Sequence, residues 1–384
     1  MRIMMKKILT LIIAVIFMSN IICVFKIYAV DQNEIIAKSA ILIDKVTGRV
    51  LWEKNSDEKM AMASTTKIMT CIVALEYGAS DQIIAVSRKA EIAPKVKLYI
   101  KEGENYSLED LLYALMLESS NDVAVAVAEG VGGSVEEFCD MMTKKAKEIG
   151  ALNTTFKTPN GLDADGHYTT AYDLALITKY ALENSEFNKI INTPAYHFSD
   201  TNKKRSFAVD NKNAFLNMYK GANGVKTGYT GDAGYCFVGS VKQDDMELIV
   251  VLLACGWPNN RTYRWRDTIA LMDYGFKNYS YKTILKDKTI VTKLDNIRFA
   301  KKDTVEGLLS QDVKILLREN EKVDVIYNIF PIEEAPIIKD ANIGKAMIYI
   351  DNQLYTTVDI KAANKVERIT YEYCCNYVWK LFVY

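Results

Sequence analysis

The sequence predicts an α/β fold with an antiparallel five-stranded sheet, flanking helices and an inserted helical subdomain, followed by a small all-β domain. Five apolar-rich runs have the length and composition of strands, namely 40–44, 49–53, 224–230, 235–241 and 248–253. Short turns join the first two runs into a hairpin and the last three into a meander. Between these two groups the apolar residues recur at helical spacing. The simplest assembly places hairpin and meander in one sheet, within a domain that spans residues 30–280.

The helical segment between the two groups of strands is marked by helix-start signals. Ser134 and Thr170 each stand three residues before an acidic residue, as in a capping box, and Ser107 begins a weaker version of this pattern. A further helix is predicted to start at Ser64, and one at 262–276 closes the meander. These helices form the predicted subdomain and flank the sheet.

The C-terminal part of the chain has a different pattern. Short alternating apolar runs over residues 281–362 predict a small β-rich domain, and no cluster in it is suited to chemistry, so we expect a spacer or packing module. Residues 363–384 are rich in aromatic side chains. If this tail is helical, one narrow polar stripe faces a broad apolar side, which suits a membrane interface. The stripe consists of Arg368, Glu372, Asn376 and Lys380. A tail packed against its own domain is the alternative.

The N-terminus has the layout of a secretory signal. Basic residues at positions 2, 6 and 7 precede an apolar run over 8–25, and Ala29 precedes a polar stretch. We therefore expect residues 1–29 to be a signal peptide that is cleaved after Ala29. The alternative is an uncleaved membrane anchor, because the run is about as long as a short spanning helix. Either reading places the protein outside the cytoplasm, in the cell wall or on the outer face of the cytoplasmic membrane.

Composition excludes several classes of function. The 384 residues include 48 basic and 48 acidic side chains, a balance that gives no reason to expect a nucleic-acid partner. The chain has only two histidines, His167 and His197, and none of the usual zinc-ligand spacings. We assign neither histidine a catalytic role, and we expect no metal ion and no cofactor.

Three short motifs occur in order along the chain and together supply the parts of a serine acyl-enzyme that needs no histidine. They are Ser64-Thr65-Thr66-Lys67, Ser119-Ser120-Asn121 and Lys226-Thr227-Gly228. An isolated S-x-x-K motif is weak evidence, because Ser56 and Lys59 have the same spacing in a polar connection. The S-x-N motif and the downstream K-T-G motif are what select Ser64.

The chemistry of the first motif depends on its lysine. A serine hydroxyl is a poor nucleophile until a base removes its proton, and Lys67 lies one helical turn after Ser64 on the same face. A lysine acts as a base only if its pKa falls by about 3 units, or about 4 kcal/mol. Burial and a neighbouring cation both lower it, and Lys226 is the candidate neighbour. The helix start at Ser64 would also stabilise an oxyanion.

The second motif falls at a predicted break between two helices. Ser119 and Asn121 follow a helix that ends near residue 117 and precede one that begins near residue 122. A hydroxyl and an amide at such a break can pass a proton to a leaving amine and hold a substrate carbonyl.

The third motif begins the first strand of the meander. As an edge strand, Lys226, Thr227 and Gly228 can pair with an extended peptide substrate. Gly228 permits close approach of the backbone, and the N–H group of Tyr229 is a candidate second oxyanion donor.

These motifs resemble the signature of penicillin-binding proteins and serine β-lactamases. The longer contexts 62–70 and 224–230, with 159–162 and 167–171, are similar to low-molecular-mass D-alanyl-D-alanine carboxypeptidases, and the likeness extends from about Ser39 to Ala362. The proline common before the nucleophile motif in this family is replaced here by Met62-Ala63. The resemblance implies that residues 30–280 form a catalytic domain of the β-lactamase and penicillin-binding-protein type.

The resemblance also implies a role for each site residue. Ser64 would be the acylated nucleophile, Lys67 its base and Ser119 the proton carrier, while Lys226 would bind the substrate. In this family an arginine on the helix after the sheet holds the terminal carboxylate. Arg264 is the best match, with Arg261 and Arg266 as close competitors.

The function implied is a serine carboxypeptidase that removes the terminal D-alanine from peptidoglycan pentapeptide stems and is inhibited by β-lactam antibiotics. A β-lactamase is the nearest alternative, but residues 158–167 offer only Asp163 and Asp165 and no E-x-x-L-N pattern. The second alternative is a wall-binding scaffold that keeps the fold without catalysis. The intact set of motifs counts against it.

Overall fold

The computed structural model describes residues 30–383. The predicted signal peptide, residues 1–29, therefore lies outside the described residues.

The predicted five-stranded sheet is confirmed. Its strand order is β2-β1-β9-β8-β7, and every neighbouring pair is antiparallel. The early hairpin therefore joins the late meander through the pairing of β1 with β9, and β7 lies at one edge. The strands are β1 Ser39–Asp44, β2 Val50–Lys54, β7 Ala222–Thr230, β8 Gly234–Gln243 and β9 Met246–Leu253.

The inserted subdomain is helical, as predicted, and its helices begin where the capping signals indicated. The side chains of Ser107, Ser134 and Thr170 each accept a hydrogen bond from the backbone N–H three residues later. The helices are α1 Lys67–Tyr77, α2 Arg88–Glu91, α3 Leu108–Leu117, α4 Asn121–Gly132, α5 Val135–Ile149, α6 Ala171–Ala181 and α7 Ser185–Asn192. Two small two-stranded antiparallel sheets complete the subdomain: β3 Ile83–Ala85 with β4 Asn105–Ser107, and β5 Ala195–Ser199 with β6 Ser206–Asp210.

The sheet separates two apolar cores. Strand β9 is buried on both faces, so its alternate side chains enter different cores. The face that packs against α1 and the helical subdomain carries Ile249, Val251 and Leu253. The opposite face carries Leu248, Val250 and Leu252 and is covered by α8, Tyr263–Asn278. The first core therefore supports the elements that hold the S-x-x-K and S-x-N motifs.

A separate β-rich domain follows α8. Five strands form a sheet in the order β11-β12-β16-β15-β14, and β10 pairs with β13. Their bounds are β10 Tyr279–Leu285, β11 Ile290–Leu294, β12 Val305–Leu309, β13 Val313–Arg318, β14 Val323–Ile329, β15 Asn342–Ile350 and β16 Gln353–Ala362. This domain has its own core, which includes Ile315, Ile343, Ile348 and Ile360. It meets the preceding domain where Arg49, on the β1–β2 hairpin, pairs with Glu321 at 2.7 Å.

The β-rich domain continues past residue 362, and the tail helix is shorter than the polar stripe suggested. Bridges join Val366 to Ile337 and Arg368 to Ala300. The helix, α9, spans Tyr371–Val383, so Arg368 does not lie on it. The backbone of Arg368 is held against the β-rich domain instead. Glu372, Asn376 and Lys380 remain on the helix.

No helix within residues 30–383 combines the length and the apolarity needed to cross a membrane.

Candidate active site

The nucleophile motif occupies the turn that leads into α1. Ala63–Thr66 form a 3-10 helix, and the α-helix begins only at Lys67, one turn later than predicted. Ala63 has a φ of 49°, a left-handed conformation that alanine rarely adopts. Ser64 is half-buried, whereas Lys67 is fully buried. The turn therefore leaves the hydroxyl accessible and places the amine beneath it.

The amine of Lys67 contacts three oxygen atoms. Its Nζ lies 2.9 Å from Ser64 Oγ, 2.8 Å from Asn121 Oδ1 and 2.6 Å from the backbone oxygen of Asn160. The Nδ2 group of Asn121 donates to Pro94 O at 3.0 Å, which fixes the amide with its oxygen toward Lys67. The first two motifs therefore meet at one nitrogen atom.

The environment of Lys67 disfavours its charged form. Burial lowers the pKa of Lys67 well below its usual range, and the nearby charge of Lys226 lowers it further. The carboxylate of Asp122 opposes this shift to a smaller extent. Asp122 is fully buried and accepts hydrogen bonds from the backbone N–H groups of residues 98–100, so much of its charge is already compensated.

Ser119 lies at the break between α3 and α4, as predicted. Its φ is 65°, again in the left-handed region, and such strained residues are enriched at functional sites. The N–H of Asn121 donates to Val96 O at 2.8 Å, which anchors the start of α4 beside the turn. The break thus carries a half-buried hydroxyl at Ser119 and a buried amide at Asn121.

The K-T-G motif lies on edge strand β7, against the nucleophile turn. A methyl group added at Gly228 would be 3.0 Å from the backbone nitrogen of Ser64, so a larger residue would require the strand or the turn to shift. Lys226 is 3% exposed, and burial, with the charge of Arg264, lowers its pKa to about 7. Thr227 is half-buried and Tyr229 is 42% exposed. The third motif therefore faces the first.

Arg264 is the arginine whose charge acts on Lys226. Its guanidinium lies over the rings of Tyr235 and Trp265. Of the two competing arginines, Arg266 pairs with Asp267 at 3.0 Å and Arg261 is exposed. The geometry thus favours Arg264 over both.

The loop over residues 157–167 completes the site, although the three motifs include none of its residues. Asn160 supplies the backbone oxygen that contacts Lys67. Gly161 packs so tightly on the turn that an added Cβ would lie 2.0 Å from Ala63 O. His167 is 5% exposed, and its Nε2 lies 3.0 Å from Thr66 Oγ1. A backbone oxygen carries no side-chain signature, so the sequence could not reveal the contact of Asn160.

The other sequence candidates lie apart from this cluster. Lys59 of the second S-x-x-K match is exposed over the ring of Tyr168, and Ser56 Oγ donates to Glu53. His197 is exposed on β5. Among residues 30–383 no group of three or more acidic, histidine or cysteine side chains could hold a metal ion.

Residues 26–255 match the family model for D-alanyl-D-alanine carboxypeptidase, a segment that contains all three motifs. The chain belongs to this family. Residues 279–368 match the model for the C-terminal domain of penicillin-binding protein 5. The predicted resemblance is therefore confirmed.

Curated relatives and solved structures of the carboxypeptidase family agree with this assignment. The chain is 32% identical over 340 residues to D-alanyl-D-alanine carboxypeptidase DacF of Bacillus subtilis, covering 86% of each chain. It is 35% identical over 288 residues to DacC of Escherichia coli, covering 69% of this chain and 67% of the relative. The crystal structure of penicillin-binding protein 5 from Haemophilus influenzae superposes with a TM-score of 0.75 at 25% identity, covering 88% of this chain and 100% of that structure.

Membership of the family confirms the predicted activity, which is that of a serine-type D-Ala-D-Ala carboxypeptidase. It favours this activity over the β-lactamase and the non-catalytic scaffold that the sequence left open.

Proposed function

We propose that the enzyme removes the terminal D-alanine from peptidoglycan pentapeptide stems through an acyl-enzyme on Ser64. One observation carries this proposal, the set of three oxygen neighbours around Lys67 Nζ. A neutral amine has two N–H bonds and one lone pair. The oxygens of Asn121 and Asn160 can only accept, so they take both N–H bonds and leave the lone pair facing the hydroxyl of Ser64.

Acylation follows from this arrangement. Lys67 accepts the hydroxyl proton while Ser64 Oγ bonds to the carbonyl carbon of the penultimate D-alanine. The N–H groups of Ser64 and Tyr229 stabilise the resulting oxyanion, because Gly228 brings β7 against the turn. Ser119 then donates its hydroxyl proton to the leaving nitrogen and takes the proton held by Lys67, which returns the lysine to its neutral form. The C–N bond breaks and free D-alanine departs.

Deacylation repeats these steps with water. Lys67 takes a proton from the attacking water, the ester bond to Ser64 breaks, and the hydroxyl recovers its proton. The shortened stem leaves with a new carboxylate.

Substrate binding is assigned to residues around the nucleophile. We propose that Asn121 and Thr227 hold the peptide, that Lys226 supplies positive charge, and that Arg264 binds the terminal carboxylate. Two cations, Lys226 and Arg264, favour an anionic chain end.

The purified protein tests the reaction directly. Ser64→Ala and Lys67→Met should each lower release of D-alanine from a D-Ala-D-Ala peptide by at least about 1,000-fold, because one removes the nucleophile and the other its base. Ser56→Ala, in the second S-x-x-K match, is the matched control and should keep wild-type activity. Wild-type protein that releases no D-alanine would contradict the carboxypeptidase proposal.

β-Lactams should acylate the same serine. Labelled penicillin is expected to be trapped by wild type and by Ser56→Ala but not by Ser64→Ala. In the loop after the second motif, Asp163 accepts a hydrogen bond from Thr230 at 2.8 Å, and no glutamate is available there to activate water. Stoichiometric trapping is therefore expected. Rapid turnover of a chromogenic β-lactam would favour a β-lactamase instead.

We also propose an extracytoplasmic location with the tail resting on the membrane surface. Exposed aromatic side chains along α9 support this, with Tyr371 87%, Trp379 70% and Phe382 84% exposed. Protein truncated after Ile369 should fail to sediment with anionic phospholipid vesicles, whereas the chain that keeps α9 should sediment. Equal recovery of both in the supernatant would exclude the membrane contact.

A further inference from the structure

The guanidinium of Arg264 is held by aromatic rings and not by an acid. It lies 4.9 Å from the ring centre of Tyr235 and 4.4 Å from that of Trp265. Within residues 30–383 it forms no ion pair, and its Nε is buried without a hydrogen-bond partner. A buried polar group normally has a partner, and this nitrogen has none among the described protein atoms.

Other arginines of the chain are held differently. Arg49 pairs with Glu321 at 2.7 Å, Arg205 with Glu104 at 2.8 Å, and Arg266 with Asp267 at 3.0 Å. An acidic partner at Arg264 would neutralise its charge and compete with an incoming carboxylate. Aromatic faces stabilise a cation without occupying its N–H groups.

The two rings are themselves supported from opposite directions. Trp265 packs edge-to-face on Phe237 at 4.9 Å and stacks with Phe215 at 6.4 Å, and both phenylalanines are fully buried. Tyr235 contacts its cross-strand partner Tyr229 at 4.7 Å. The row of rings thus runs from the core to the rim of the site, with the guanidinium inserted in it.

We propose that Tyr235 and Trp265 are positioning residues that hold Arg264 unpaired, so that the enzyme selects substrates with a free terminal carboxylate. The proposal rests on the assigned role of Arg264. It explains why the guanidinium of Arg264 can bind a carboxylate. Aromatic rings lie against it in place of an acidic side chain that would pair with it.

The test compares two substrates in the full chain. One is a peptide that ends in D-Ala-D-Ala with a free carboxylate, and the other is a thioester whose leaving group carries no charge. Tyr235→Leu should lower kcat/KM for the peptide by about 10-fold, mainly through a higher KM, because the guanidinium loses one of the two aromatic rings that hold it. The thioester should change by less than about 2-fold, since Ser64 and Lys67 are untouched. Tyr235→Phe keeps the ring and should retain the wild-type preference.

The outcomes distinguish the positioning role of the two rings from the carboxylate-binding role of Arg264. If Arg264→Gln abolishes the preference for the carboxylate but Tyr235→Leu keeps it, the positioning role is overturned and the role of Arg264 stands. If Arg264→Gln keeps the preference for the free carboxylate, the role of Arg264 and the positioning role are both overturned. Equal loss on both substrates in Tyr235→Leu, or loss in Tyr235→Phe, would also overturn the inference, because the ring would then act on the fold or through its hydroxyl.

Discussion

His167 has a hydrogen-bond partner at each ring nitrogen. Its Nδ1 accepts from the N–H of Lys157 at 3.0 Å, so the proton of the neutral ring lies on Nε2, which donates to Thr66 Oγ1 at 3.0 Å. A charged ring could not accept from Lys157. Burial lowers the pKa of His167 to about 4. The ring therefore ties the loop of Asn160 to the residue before Lys67 only while it is neutral.

Because His167 resists protonation in the folded chain, we expect the free energy of unfolding to fall in mild acid. The unfolded chain binds the proton near the ordinary value of 6.5 and the folded chain only near 4, so unfolding takes up a proton between these values. Above pH 6.5 the protonation of His167 does not change the free energy of unfolding, and this free energy falls as the pH drops toward 4. The interval corresponds to at most about 3 kcal/mol. Urea unfolding of wild type and His167→Gln from pH 7 to pH 4 measures it.

The exposed histidine offers the control. His167→Gln should show a shallower pH dependence than wild type, whereas His197→Gln should follow wild type throughout. Parallel curves for wild type and His167→Gln would mean that the ring does not resist protonation.

At this scale the sequence predicted the residues that carry reactive side chains. Ser64, Lys67 and Lys226 stand in recognisable spacings, and the structure brings them together. It could not predict His167, because a histidine between polar neighbours gives no sign of burial when the loop folds back on a distant helix.

At the scale of elements, the loop over residues 157–167 and the nucleophile turn are fitted to each other through glycine. Gly161 has a φ of 84°, and a Cβ there would lie 2.0 Å from Ala63 O and 2.9 Å from Thr66 Oγ1. Backbone atoms cannot yield as a flexible side chain can. Any larger residue must therefore push the loop off the turn.

Gly161→Ala should lower the rate of penicillin acylation by at least about 10-fold and destabilise the fold by about 2–4 kcal/mol, since it adds a backbone clash to the left-handed strain. Gly103→Ala is the matched control. Its φ is 81° and no atom lies within 4 Å of the added Cβ, so only the strain of about 1 kcal/mol applies. Acylation by fluorescent penicillin and denaturant unfolding provide the two readouts. Similar acylation rates in both variants would refute the importance of this packing.

Element boundaries were predictable where a local signal exists. The caps at Ser134 and Thr170 act within a single turn, and the structure retains them. The 3-10 turn before Lys67 was not predictable, because the left-handed Ala63 depends on the distant loop of Gly161. The pairing of β5 with β6 was not predicted either, since several residues of both strands are exposed.

At the scale of the whole molecule, one buried ion pair joins the two domains. Arg49 and Glu321 have side chains that are 12% and 5% exposed, and Arg49 also donates to the backbone oxygen of Leu316. Glu321 accepts from the backbone N–H of Arg318 as well. The pair therefore closes the junction between the β1–β2 hairpin and the end of β13.

Breaking this pair should loosen the junction without affecting catalysis. Glu321→Gln is expected to destabilise the full chain by about 1–3 kcal/mol, because the buried charge of Arg49 loses its partner. Thermal unfolding measures the effect, and penicillin acylation should stay at the wild-type rate, since Ser64 lies on the other side of the sheet. Arg298→Ala is the control, because Arg298 and its partner Glu333 are both largely exposed. Equal melting temperatures for the two variants would show that the junction does not depend on the buried pair.

The two-domain arrangement itself was predictable from the change in apolar periodicity after residue 280. The contact between the domains was not, because an arginine in a hairpin and a glutamate in a turn are ordinary surface residues until the domains are placed. The same limit explains why residues 363–369 were assigned to the tail, since their bridges to the β-rich domain pair segments far apart in sequence.

The contact between Asn160 and Lys67 has a consequence for how this enzyme can evolve under antibiotic pressure. Because the contacting oxygen belongs to the main chain, every residue placed at position 160 still presents one. Selection for slower acylation therefore cannot delete this interaction by exchanging a side chain there. It has to change the path of the loop, at positions such as Gly161, and such changes also threaten the fold. A resistant variant would thus trade drug escape against its own folded yield.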